Sequence, residues 1–144
     1  MNSAAGHVLR CISKCLLVIV PLLESCSSSS SEARRIPEPS LYGHALVRPL
    51  PEYPDADAKR GVAGVAVAQV HLDGKGNILS ILVKEAPSPS LRYAVSEAIS
   101  KWKFSPFDDT QNNIYFSNLT FYFVNRAGTA AQVYYAADAP YVGP

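Results

Sequence analysis

The clearest pattern in the chain is an alternation of apolar and polar positions over Gly64–Leu72. Ala66, Ala68, Val70 and Leu72 fall on one face, and Val65, Val67, Gln69 and His71 on the other. A period of two predicts a strand, and the small residues mark a face where something packs closely. Asp73-Gly74-Lys75-Gly76-Asn77 predicts a hairpin turn, because glycine supplies positive φ and Asp and Asn cap local amides. Ile78–Glu85 reads as the return strand, with Ile81 and Val83 on one face. The period then changes. Leu91, Ala94, Val95, Ala98, Ile99 and Trp102 recur at helical spacing, which predicts a helix over 88–103 whose apolar stripe faces the hairpin. Ser88 suits the N-cap and Pro89 the first helical position. Lys101 and Lys103 suit the negative end of the helix dipole, and Pro106 stops the helix.

A polar loop, Asp108–Asn113, leads to Ile114–Val124, rich in Tyr, Phe and Thr and read as a long strand. The order strand, strand, helix, strand predicts a small α+β domain over 51–126, with one helix packed on an antiparallel sheet. Residues 127–144 form an Ala/Gly/Pro tail whose Gln132-Val133-Tyr134-Tyr135 is strand-prone. Upstream, Glu32–Pro51 carries Pro37, Pro39, Pro49 and Pro51 and reads as an extended linker, and His44 within it as solvated surface without a role.

The first residues read as an export signal over 1–25. Arg10 and Lys14 precede an apolar core, Cys15–Leu23, roughly half the about 20 residues a spanning helix needs. Leu23-Glu24-Ser25-Cys26 resembles a lipobox, although Glu24 departs from the small or apolar residue usual there. Cys26 is therefore the expected lipidation site and membrane anchor, and Ser27–Ser31 a flexible tether.

Composition narrows the function. Hydrophobic residues make up 48%, enough for a core, and the net charge of +1 offers no basic surface for nucleic acid. Cys11, Cys15 and Cys26 all precede the domain, which excludes disulfides and cysteine chemistry within it. His71 and Asp73 lack a third partner or nucleophile. Lys75 occupies a ligand position of a would-be calcium loop, and the later Glu is missing. Neither catalysis nor a cofactor is expected.

Several motifs in order resemble the TonB C-terminal domain. Pro51-Glu52-Tyr53-Pro54 is similar to its P-x-Y-P stretch, and Gly61-Val62-Ala63-Gly64 with the strand that follows to its G-x-x-G-x-V-x-V. Asp73–Gly76 resembles the D-x-x-G turn. Leu91–Ala98 followed by Lys101-Trp102-Lys103-Phe104-Ser105-Pro106 resembles L-x-x-A-V-x-x-A ending in W-[KR]-[FY]-x-P. The resemblance implies a periplasmic module of Gram-negative bacteria without catalytic activity. In the family, such a module couples outer-membrane receptors to an inner-membrane motor by taking the receptor's TonB box as an added strand.

Three departures mark this chain. Ser3-Ala4-Ala5-Gly6-His7 has the spacing of the family's motor-contacting pair but lies outside the apolar core, and is read as coincidence. The family's long Pro-rich spacer is not seen. The position before P-x-Y-P, often a Gln touching the TonB box, is Leu50. A second reading is therefore a lipid-anchored binding or assembly module without motor coupling, a class that a resemblance to the TolA C-terminal domain keeps open.

The final strand is expected at a sheet edge, open to β-augmentation. The expected partner-binding residues are Tyr115, Ser117, Leu119 and Phe121, which share a face, together with Tyr53 and Pro54. The tail, or a second copy of the domain in a homodimer, is expected to cover this edge and compete with a partner.

Overall fold

The computed structural model describes residues 32–108, 112–126 and 130–138; the export signal and Cys26 lie outside them. The elements in chain order are β1 (Arg34–Arg35), α1 (Glu38–His44), β2 (Ala45–Val47), α2 (Asp55–Lys59), β3 (Gly64–Asp73), β4 (Ile78–Glu85), α3 (Pro89–Ser100), β5 (Lys103–Phe104), β6 (Ile114–Val124) and β7 (Gln132–Tyr135). The expected strand, strand, helix, strand core is present as β3, β4, α3 and β6, an α+β arrangement.

The alternation along β3 decides the layer structure. Ala66, Ala68, Val70 and Leu72 are fully buried and face α3, whose Leu91, Val95 and Ile99 are equally buried. β3 pairs antiparallel with β4 on one side and β6 on the other. Ala66 lies opposite Phe121 and Ala68 opposite Leu119, so small side chains on β3 make room for large ones on β6. The β3–β4 turn closes as its residues dictate: Asp73 accepts from the Asn77 backbone N–H and from its side-chain amide, both at 2.8 Å. Gly76 has φ 85°, and a Cβ there would sit 2.8 Å from the Phe104 carbonyl oxygen, so only glycine fits.

α3 starts as expected, with the Ser88 hydroxyl accepting from the Leu91 N–H at 3.1 Å. It ends at Ser100, three residues short of the expected boundary. Trp102 turns into the core, only 1% exposed, and Lys103–Phe104 leave as β5 to pair with β2. The burial of Trp102 and the ladder to Ala45 outweigh continued helix.

Two expectations are corrected. The segment read as an extended linker holds α1, because helical first-turn amides need no intrahelical acceptor and so tolerate Pro39. Leu41 of α1 is fully buried, which ties the segment to the core. His44 is not merely solvated: its ring lies 4.4 Å from that of Phe107, and its Nδ1 is 3.1 Å from the Ser105 hydroxyl.

The second correction concerns the outer side of β6, where the expected tail strand is joined by one from the segment read as a linker. On the side away from β3 it carries β1, parallel, near its start and β7, antiparallel, near its end.

Candidate functional site

β6 owes its exposed row of backbone groups to its position: β3 satisfies one side along the whole strand, and the other must find partners elsewhere. Three different groups supply them. Arg34 and Arg35 pair with Tyr115 and Phe116, and the Ile36 N–H donates to the Phe116 carbonyl at 2.8 Å. Further along, the Thr120 N–H donates to Glu38 Oε1 at 2.7 Å and its hydroxyl to Glu38 Oε2 at 3.2 Å. The Ala136 N–H then donates to the Thr120 carbonyl at 3.0 Å, and Gln132–Tyr135 pair with Val124–Phe121. One edge thus accepts a parallel strand, a carboxylate and an antiparallel strand.

An aromatic cluster braces these covers. The Tyr42 hydroxyl donates to Glu38 Oε1 at 2.8 Å, and its ring lies 6.0 Å from Trp102 and 5.7 Å from Tyr135. The Arg48 guanidinium lies over both tyrosine rings, and its carbonyl accepts from the Tyr135 hydroxyl. Burial pushes the Tyr42 hydroxyl far above the ordinary tyrosine range, and the adjoining Glu38 adds to the shift.

The residues singled out from sequence do not assemble into one surface. Ser117, Leu119 and Phe121 are at most 1% exposed and lie on the buried face of the sheet, so their side chains are core and cannot meet a partner. That face carries Leu119, Phe121 and Phe123, and the hydrophobic core takes them up. Tyr115 is half-buried, its hydroxyl donating to Asp108 Oδ2 at 2.7 Å. Tyr53 packs edge-on against Phe123 at 5.4 Å, with its hydroxyl donating to the Val62 carbonyl. It therefore clamps the opposite end of β6 from Tyr115, about 27 Å away at strand spacing. Pro54 precedes α2 and borders a separate cleft of about 450 Å³ with Glu52, Ser90, Tyr93 and Glu97. The Glu38–Thr120 contact is not legible in the sequence. The available signal was Glu38 itself, an acidic residue just after Pro37 where a first helical turn favours one.

Beside Tyr53, Asp57 is fully buried and fastens α2 to the start of α3. It accepts from the Ser88 hydroxyl at 2.6 Å, the Ser90 hydroxyl at 2.5 Å and the Arg60 guanidinium. The Ser88 and Ser90 bonds outweigh burial and, with Arg60, lower its pKa from 3.8 to about 2. A depressed carboxyl stabilises the fold fully above its unfolded value and loses that contribution as pH falls through the folded one. The melting temperature is therefore expected to fall between pH about 4 and about 2. Asp57→Asn should flatten this limb and lower the melt at pH 7. A pH profile identical to wild type in that variant would show that Asp57 does not carry it.

Among the described residues no group of three or more His, Cys, Asp and Glu could hold a metal ion, and no helix is long and apolar enough to cross a membrane.

Residues 49–124, just over half of the chain, match the family described as Gram-negative bacterial TonB protein C-terminal. The chain belongs to this family. Protein TonB of Vibrio cholerae is 39% identical over 57 residues, covering 39% of this chain and 23% of that protein. The chain thus matches under a quarter of that relative's length. The solution structure of the Pseudomonas aeruginosa TonB C-terminal domain is 24% identical, with a TM-score of 0.49, covering 59% of this chain and 87% of that one. The TonB match takes in β6 and stops at its last residue. It leaves out β1, α1 and β7, so every group that covers the outer edge of β6 comes from outside the part shared with the TonB family.

Proposed function

We propose that this protein is a periplasmic, TonB-type binding module that takes an extended segment of an outer-membrane transport receptor, such as a TonB box, as a strand added to the outer edge of β6. The observation that carries the reading is the edge itself: within a TonB-family domain, it already receives strands in both orientations. Backbone bonds would supply affinity and the flanking side chains specificity. Phe116, Asn118 and Thr120 are side chains of β6 turned from the core, only half-buried and outside the β7 pairing, so they replace Ser117, Leu119 and Phe121 as the contacts. The test is calorimetric titration of the full chain with a TonB-box peptide from a receptor of the same bacterium. Saturable binding that a scrambled peptide fails to reproduce is expected; equal heats from both peptides would contradict the proposal.

The proposed anchor is a lipid on Cys26, supported by the short apolar core ending at Leu-Glu-Ser-Cys before a serine run. Acyl chains contribute about 0.8 kcal/mol per buried CH₂, and more than one chain holds stably. Cys26→Ala is expected to release the protein from membranes or block its processing. A mutant found in the membrane fraction at the same mass as wild type would refute the lipid. An acylated Cys26 would also favour the second reading, a lipoprotein using the domain for protein binding or assembly without motor coupling, since cleavage there removes the segment that could meet a motor.

A further inference from the structure

We infer that the segment Arg34–Glu38 is a built-in occupant of the partner edge, which an incoming strand must displace at Phe116–Thr120. The inference rests on the proposed reading of β6 as the receptor-binding strand, and it concerns how that site is regulated.

The segment imitates a bound strand. Arg34 and Arg35 run parallel to β6 in register with Tyr115 and Phe116, and Ile36 continues the ladder through the Phe116 carbonyl. Pro37 has no N–H to donate, and the chain there turns into α1. The ladder is nevertheless completed, because the Glu38 carboxylate accepts the Thr120 N–H that the carbonyl of a continuing strand would take. The Thr120 hydroxyl and the Tyr42 hydroxyl hold that carboxylate in place.

The two covers of the edge are built differently. β7 pairs over four residues and buries Tyr135, leaving 7% of it exposed, so it is part of the packed core. The strap, Arg34–Pro37, pairs over two residues, Arg34 and Arg35, both exposed, adds one backbone bond and a half-buried side chain at Ile36, and reaches a fully buried side chain only at Leu41 of α1. Arg34–Pro37 can therefore lift from Phe116 while α1 stays seated. A partner strand entering there parallel to β6 would offer its own carbonyl to Thr120 and free Glu38. The strap lies outside the region matched to the TonB family, so it is something this chain adds to the shared edge.

The experiment uses the full chain in three forms: wild type, Glu38→Ala and Thr120→Val. Thr120→Val keeps the β-branched shape and backbone but removes the hydroxyl that steadies Glu38. Amide exchange at Thr120 is read first, with Tyr122, under β7, as the internal control. A fluorescent peptide of the strap's own sequence, residues 33–45, and a TonB-box peptide are then titrated into each form.

Faster exchange at Thr120 but not at Tyr122 is expected in Glu38→Ala. Binding of the strap peptide should be about ten-fold tighter than to wild type, since loss of a charge-assisted bond raises the open fraction that sets apparent affinity. Thr120→Val should change both in the same direction by less. Unchanged Thr120 exchange, or equal strap-peptide affinity in wild type and Glu38→Ala, overturns the inference. If the strap peptide binds the loosened chain and the TonB-box peptide binds no form, the strap stands as an edge occupant and the receptor reading falls.

Discussion

Trp102→Ala is expected to lower stability by about 3–5 kcal/mol in chemical or thermal unfolding. Trp102 is the largest fully buried side chain, and its ring meets Tyr42, Phe104, Phe121 and Tyr135 at centroid distances of 5.8–6.3 Å. Its indole N–H also donates to the Pro49 carbonyl at 3.1 Å, which holds the approach to the P-x-Y-P stretch. Truncation leaves a cavity where the end of α3, α1 and β7 meet. A loss of this magnitude consumes much of what a small domain has. Trp102→Phe separates the parts of the effect: it keeps an aromatic filler and forfeits the Pro49 bond, for about 1–2 kcal/mol. An alanine variant that melts with wild type would mean that Trp102 is not the junction described.

Leu41→Ala is expected to cost about 2–5 kcal/mol. The position decides whether residues 38–44 belong to the fold, because a side chain in an extended linker would cost nothing on truncation. Leu41 is 0% exposed, whereas Leu46, five residues on, is 71% exposed. Leu46→Ala therefore serves as the control, expected within about 0.5 kcal/mol of wild type. Equal melts for the two variants would return the strap to the status of a linker. A loss confined to Leu41→Ala fixes α1 as the seat from which Arg34–Pro37 can lift.

The contrast between these two side chains shows where the sequence was legible. The α3 stripe ending in Trp102 could be read because six apolar residues repeat at helical spacing behind a Ser-Pro start. The β3–β4 hairpin could be read because alternation and an Asp-Gly-x-Gly turn coincide. α1 offers one buried apolar side chain, Leu41, between two prolines and a glycine, too little for a period to emerge. The edge contacts were beyond local reading for another reason. Glu38 and Thr120 lie 82 positions apart, and nothing in either neighbourhood marks the other. Alternation separates the two faces of β6, but which one is buried depends on the register with β3, where Ala66 and Ala68 lie opposite Phe121 and Leu119. That register assigns the expected contact residues Ser117, Leu119 and Phe121 to the core and leaves the edge to its backbone.

The central claim is that this TonB-family domain receives a partner as a strand along the outer edge of β6. The most direct measurement is NMR of the full chain with an isotope-labelled TonB-box peptide, reading cross-strand contacts between peptide and protein backbones. The account predicts contacts with Phe116, Asn118 and Thr120, together with loss of those between Arg35 and Phe116. Peptide contacts confined to β4 and α3, with the Arg35–Phe116 pairing intact, would contradict it.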